Sequence, residues 1–242
     1  MIIIMDYSYL EYNVAEVRRR LEQAAARAGR NAAEVTLLAA VKYADTDEIN
    51  YLHDRCGIND IGENRVQQLL AHWDGLHREG LNVHFIGSLQ TNKVKYIADK
   101  VCMIHSVDSL RLAEEIDSRC SKLGRVMDVL IEINSGREQS KTGVMPEQAE
   151  ELAVAVAGLH SVKLCGFMTM APKSDSEADY DKYFEETYKL IVDIWYKKLH
   201  NIKGPVISMG MSGSFESAVR HGSTCVRVGR VLFGQLNAGR EI

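Results

Sequence analysis

Short apolar runs alternate along the whole sequence with longer segments whose apolar residues return every three or four positions. The runs at 35–41, 59–62, 83–86, 103–106, 126–133, 163–168, 206–208 and 225–228 are mostly β-branched or leucine-rich and bounded by turn residues, which predicts strands. Segments at about 45–55, 64–79, 91–100, 108–122, 146–158 and 177–199, with a short one at 214–221, predict helices. A further helix over 8–28 precedes the first strand. Its Val14, Val17, Leu21, Ala24 and Ala25 share one face, and Gly29 suits the left-handed residue that ends a helix.

Strict alternation of strand and helix predicts a parallel sheet, because parallel neighbours need a crossover between them. Eight such strands in 242 residues match a single α/β fold, the (β/α)8 TIM barrel, which uses about 250 residues. An open doubly wound sheet is the alternative on pattern alone. Only three prolines and no Gly/Ser-rich stretch interrupt the chain, so one domain over 1–242 is expected, with an arm and helix in 1–30 and the barrel in 31–242. On that length, no second full domain is expected beside the barrel. A barrel places its active site at the C-terminal ends of its strands, often with phosphate in the loops after strands 7 and 8.

Composition narrows the function classes. The chain is 46% hydrophobic and 26% charged, with 29 Lys and Arg against 33 Asp and Glu. A net charge of −4 without a basic run argues against a nucleic-acid binder. Cys56, Cys102, Cys120, Cys165 and Cys225 are odd in number and far apart, without CxxC spacing, so neither a zinc site nor a redox motif is expected. Reduced thiols fit a cytoplasmic protein. The apolar stretch 1–5 lacks a basic flank and is too short for a signal peptide or membrane span; we read it as an ordered arm or an expression remnant.

The residues able to carry chemistry lie where a barrel would put them. Strand 1 reads Leu37-Leu38-Ala39-Ala40-Val41-Lys42, and period-two alternation points Lys42 the same way as Leu38 and Ala40. At the top of a barrel, partial desolvation would favour the free amine, which can form a Schiff base. Taken alone, a lysine just past a strand is more often solvated. After strand 7, the run Ser208-Met209-Gly210-Met211-Ser212-Gly213-Ser214 leads into a short helix, and Gly222-Ser223-Thr224 leads into strand 8. Small residues and hydroxyls near a helix start let backbone N–H groups reach an anion, so the two turns are read as walls of one phosphate cup. Arg227 sits within an otherwise apolar strand that ends at Gly229. It contacts a ligand, pairs internally, for example with Glu63, or projects outward between helices. His84 reads as a packed histidine rather than a metal ligand. Asn64 contacts a ligand or caps the next helix. Lys141 and Gly143 close over the pocket or form an exposed turn, and Met168 and Met170 pack the core or the pocket. No Walker A, HExxH, GxSxG or strand-following GxGxxG motif is present, which weakens the corresponding hydrolase, protease and dehydrogenase readings.

In order along the chain stand Ala40-Val41-Lys42, Gly62-Glu63-Asn64, His84 to Lys93, Ile104 to Asp108, Lys141-Thr142-Gly143, Gly166 to Met170, Ser208 to Ser212, and Gly222 to Gly229. Together these eight segments resemble the pyridoxal-phosphate homeostasis protein family, related to the N-terminal barrel of alanine racemase. The resemblance implies a fold-type III barrel that holds pyridoxal 5′-phosphate (PLP) as a Schiff base on Lys42. It implies Ser212, Gly222, Ser223 and Thr224 as phosphate-cup residues, Arg227 as a cofactor contact, and Asn64, His84 and Met168 as pocket neighbours; Ser208 and Gly229 belong to the same site. Two departures stand out: Ala40-Val41 where the family often has Val-Ser before the lysine, and Ser214 where an Asp is usual. The implied function is intracellular PLP and vitamin B6 homeostasis without strong turnover, with PLP-dependent apoenzymes as recipients and a monomer or weak homodimer as the working form. The rival is a PLP-dependent amino-acid racemase, which needs an acid and a base on opposite faces of its substrate. The resemblance implies that racemases take one of these from a separate domain of a partner, absent from this sequence. A third class, an interaction protein with a vestigial site, is disfavoured by retention of the lysine and both turns.

Overall fold

Each strand carries alternating side chains that must be covered on two sides, one by the helices and one by the barrel's own interior. The computed structural model describes residues 6–138, 141–199 and 203–234, so the 1–5 arm lies outside the described residues. Strands β1 (Thr36–Ala40), β2 (Asp60–Glu63), β3 (Asn82–Phe85), β4 (Met103–Val107), β5 (Met127–Ile133), β6 (Val162–Thr169), β7 (Val206–Ser208) and β8 (Cys225–Val228) pair in parallel in sequence order. β8 returns to β1, with Thr36 opposite Cys225 and Ala39 opposite Val228. That closure removes the open-sheet alternative.

The helices are α1 (Ser8–Arg27), α2 (Thr46–Cys56), α3 (Val66–Trp73), α4 (Leu110–Lys122), α5 (Ala149–Ala157), α6 (Glu177–Val192), α7 (Phe215–Arg220) and α8 (Arg230–Phe233). α2 starts on a capping box, in which Asp45 accepts from the Glu48 amide and Glu48 accepts from the Asp45 amide. The helix expected over 91–100 is a 3-10 segment, Thr91–Tyr96, that buries Val94 and is followed by a turn that buries Ile97, Ala98 and Val101. Rising about 2.0 Å per residue, a 3-10 winding covers the crossover with fewer residues. The helix expected over 64–79 stops at Trp73, and the Gly75 amide turns back to the His72 carbonyl. α1 buries Leu10, Val14, Val17 and Leu21 across the seam where the barrel closes. Its Asn13 donates to the Leu232 carbonyl of α8 (2.8 Å), and its Arg20 grips Glu216 of α7 with two hydrogen bonds.

The core divides in two. Ala39, Val41, Ile61, Phe85, Ile104, Val129, Phe167 and Val226 pack outward against the helices. Each fully buried side chain of this size stabilises the fold by about 1.5–3 kcal/mol. Inside the barrel a small apolar group, Leu38, Ile86 and Cys225, shares the space with polar residues. A β-bulge shapes this interior. Val129 pairs with Leu164 and Leu130 with Gly166, so Cys165 is an extra residue that shifts the rest of β6. Among the described residues, no helix is long and apolar enough to cross a membrane, and no cluster of three His, Cys, Asp or Glu is placed to hold a metal ion.

Candidate functional site

All eight strands point their C-terminal ends at one mouth, and there a cavity of about 380 Å³ opens. Lys42, Asn64, Ser212, Arg227 and Gly229 line it together, as do Tyr43, Lys141, Met170, Lys173, Tyr180 and Arg230. Lys42 stands two residues beyond the end of β1 and is exposed, its amine resting over the Tyr43 ring, 4.8 Å from the centroid. The expected desolvation is therefore not found, because the lysine leaves the strand at the open mouth.

Opposite the lysine, the loop after β7 meets the end of β8. Ser212 Oγ accepts from the Gly229 amide (3.3 Å) and the Val231 amide (3.4 Å), so a hydroxyl and the first N–H groups of α8 converge on one spot. A Cβ on Gly229 would come within 2.8 Å of the Ala40 carbonyl, which is why β8 can end so close to β1. Groups of this kind, a hydroxyl beside backbone N–H groups, have the chemistry to receive an anion. Ser214, at the start of α7, does not cap it; its hydroxyl accepts from the Met211 amide instead.

Arg227 forms the floor. Its Nη1 donates to the Ser208 carbonyl (2.6 Å) and hydroxyl (2.7 Å), and Nη2 donates to the Thr169 carbonyl (2.8 Å). Glu63 is not its partner, because Glu63 alternates to the outer side of β2 and meets His72 of α3 at 2.8 Å. A guanidinium has five N–H donors, so two remain for whatever enters the cavity.

Gly222, Ser223 and Thr224 are a correction. They precede β8, and in a parallel barrel the start of a strand lies at the opposite mouth from Lys42. Ser223 is fully buried and donates its hydroxyl to the Met209 carbonyl (2.8 Å), with the Ile207 and Cys225 carbonyls nearby, Thr224 Oγ1 accepts from the Ile207 amide, and Gly222 packs under the Tyr188 ring. They tie β7 to β8 and hold no part of the cup. The pocket neighbours His84, Met168 and Ser208 are also displaced. All three are buried, and none lines the cavity; Met170 lines it in place of Met168. Asn64 does line it and caps nothing, since Arg65 holds the cap position of α3.

Beneath the floor runs a polar file. Asp60 Oδ1 lies 3.1 Å from His84 Nε2, His84 Nδ1 lies 3.0 Å from His105 Nε2, and His105 Nδ1 lies 3.0 Å from Ser208 Oγ. Burial opposes charge on His84, but its hydrogen bonds to Asp60 and Cys102 prevail and push it up to about 9. Burial, with the charges of His84 and Arg227, holds His105 well below the ordinary histidine value. His84 thus binds its proton more tightly when folded, and its stabilisation is complete below pH 6.5 and lost as pH rises toward 9. His105 has the opposite sign: its contribution holds above 6.5 and is lost in acid. Thermal unfolding followed against pH should show an alkaline decline of roughly 3 kcal/mol from His84. His84→Asn should flatten that limb, and an unchanged slope would refute the assignment.

Fold and pocket together define a class of protein: a parallel eight-stranded barrel whose C-terminal mouth gathers a lysine amine, a serine hydroxyl with backbone N–H groups, and a buried arginine. The profile of the family described as alanine racemase, N-terminal domain, matches residues 6–237. A pyridoxal phosphate homeostasis protein of Aquifex aeolicus is 41% identical over 222 residues, covering 92% of this chain and 96% of the relative. The chain belongs to the pyridoxal phosphate homeostasis protein family. The protein of that name from Escherichia coli K12 is 37% identical over 230 residues, 93% of this chain and 96% of the relative. Among solved structures, PipY of Synechococcus elongatus PCC7942 with PLP bound matches with a TM-score of 0.80 at 27% identity, over 93% of this chain and 100% of that one. An alanine racemase of Clostridium difficile 630 shares the fold, with a TM-score of 0.73 at 17% identity, over 96% of this chain and 58% of the racemase.

Tyr43, Tyr180, Lys173 and Arg230 escaped the sequence reading. Arg230 had a usable signal, since it stands two residues past the end of strand 8, where barrels bind phosphate. Tyr180 and Lys173 come from the loop after β6 and from α6, and nothing in their spacing ties them to Lys42.

Proposed function

We propose that this chain binds PLP in the C-terminal cavity, carries it as a Schiff base on Lys42, and stores or delivers it within the cytoplasm without strong turnover of its own. The observation that carries this reading is a single cavity that brings the exposed Lys42 amine at the end of β1 together with a hydroxyl and N–H groups able to receive an anion and a buried guanidinium with donors to spare. PLP offers one partner to each: an aldehyde, a phosphate and a ring nitrogen. The phosphate would be received by Ser212 and the N–H groups of Gly229 and Val231, with Arg230 adding charge. Arg227 would meet the ring, while Met170 and Ile86 exclude water from its faces. When bound, the cofactor supplies an electron-withdrawing ring and an aldehyde that exchanges between amines. Lys42 holds that aldehyde reversibly, and its exposed position lets an incoming amine reach it.

The relatives' shared name supports a homeostatic role, and the chain covers 96% of the Aquifex relative's length. All five cysteines are free thiols, which supports a reducing compartment. PLP-dependent apoenzymes are the recipients in this reading, and the barrel acts as one unit over 31–242. Protein loaded with PLP should restore activity to an apoenzyme and give no sustained racemisation across a panel of common amino acids. Racemisation that persists over many turnovers and vanishes in Lys42→Ala would make the chain an enzyme and overturn the proposal.

A further inference from the structure

Small barrels fill their interiors with branched apolar side chains. This one gives the middle of its lumen to Asp60, His84, His105, Ser208 and Arg227, drawn from five strands and linked end to end by hydrogen bonds of 2.7–3.1 Å. The donors and acceptors of that file can be assigned. Arg227 only donates, so Ser208 Oγ accepts from it. A doubly protonated His84 donates from Nε2 to Asp60 and from Nδ1 to His105. His105 then carries its one proton on Nδ1 and donates it to Ser208. Each ring nitrogen has a partner of the right kind.

The partners of Arg227 among the described residues are all neutral, although it is buried. It is therefore held in place by geometry rather than by an ion pair. Resting on the reading of the cavity as a PLP site, we infer that Asp60, His84, His105 and Ser208 are positioning residues for Arg227, and that a second proton on His105 loosens the guanidinium from the ligand ring. That proton would set two N–H groups against each other across the 3.0 Å gap between the histidines. It would also place a third cation between His84 and Arg227. The charged or titratable groups that face the file are Asp60 from β2, Cys102 before β4, Glu132 from β5, Tyr183 from α6 and Cys225 from β8. Of the two carboxylates, Asp60 is already committed to His84 and Glu132 accepts from Thr142. Neither touches His105, so nothing offsets its added charge. The pair must part, and Ser208 loses the donor that fixes it under Arg227.

Two measurements test this. In the protein without ligand, nitrogen NMR of labelled histidines near pH 7 should show one ring doubly protonated and another neutral with its proton on Nδ1. Two rings that titrate together near 6.5 with averaged tautomers would overturn the assignment. In the second, PLP affinity is followed from about pH 8 down to the most acidic pH at which both proteins stay folded, for the natural protein and for His105→Gln, whose amide can replace both hydrogen bonds without titrating. Acid weakens both through the phosphate and the Lys42 amine, and the natural protein should lose about tenfold more. Identical acid profiles would overturn the inference. Should His105→Gln not fold, Asp60→Asn at the partly open mouth serves instead: it removes the second proton from His84, which eases protonation of His105 and moves the acid loss to higher pH. An unmoved profile in that variant counts against the inference. Absence of PLP binding at pH 8 would sink the cavity reading and leave the NMR result standing, so the two failures are distinguishable.

Discussion

Lys42→Ala should abolish the visible absorption that PLP acquires on condensing with the protein, and weaken PLP binding by about 100-fold, roughly 2.7 kcal/mol. The loss is incomplete because the cup of Ser212, Gly229 and Val231 and the floor at Arg227 are built from other elements and do not depend on the amine. Removing the lysine also costs little in folding, since it is exposed and its neighbour is the Tyr43 ring. Absorbance and affinity titrations on the folded variant measure both effects. Unchanged absorbance would mean that another amine carries the cofactor, and Lys141 and Lys173 are the two within the same cavity.

Gly166→Ala should destabilise the barrel by at least about 4 kcal/mol, enough to leave most of the protein insoluble. Gly166 holds φ at +153° in the bulge of β6, and a Cβ there would lie 2.0 Å from the Val206 carbonyl oxygen and 2.6 Å from its nitrogen. Both obstructing atoms are backbone, so no side chain can turn aside. Relief requires β6 and β7 to separate, and those strands carry Thr169 and Ser208, the acceptors that hold Arg227. Chemical denaturation or soluble yield would register the change, and near-normal stability would show that the bulge tolerates a side chain.

Strand positions were legible because the two-sided burial of a parallel barrel leaves mostly apolar runs such as 126–133, broken only by Asp128 and Glu132, most of which became β5. Helical spacing was equally plain in α1, whose buried face follows Val14, Val17 and Leu21. The lysine and Ser212 were legible because each sits at the C-terminal end of a recognisable strand. Gly222, Ser223 and Thr224 misled, since their composition suits an anion site and only the direction of β8 shows that they face the other mouth. The lumen file was not legible at all. Asp60 and Arg227 are 167 positions apart in the sequence, and only closure of the barrel, with Leu38 opposite Arg227, brings these strands round a common axis. His105 reads as an ordinary strand residue, and Ser208 is expected at the cofactor rather than against a histidine, until β7 and β4 face each other across that axis.

In the proposed function one amine in one cavity, that of Lys42, holds the cofactor. Borohydride reduction of the PLP-treated protein, followed by mass mapping of its peptides, tests it most directly. A single pyridoxyl adduct on the peptide that contains Lys42 is the predicted result; an adduct on Lys141 or Lys173 instead, or none at all, would contradict it.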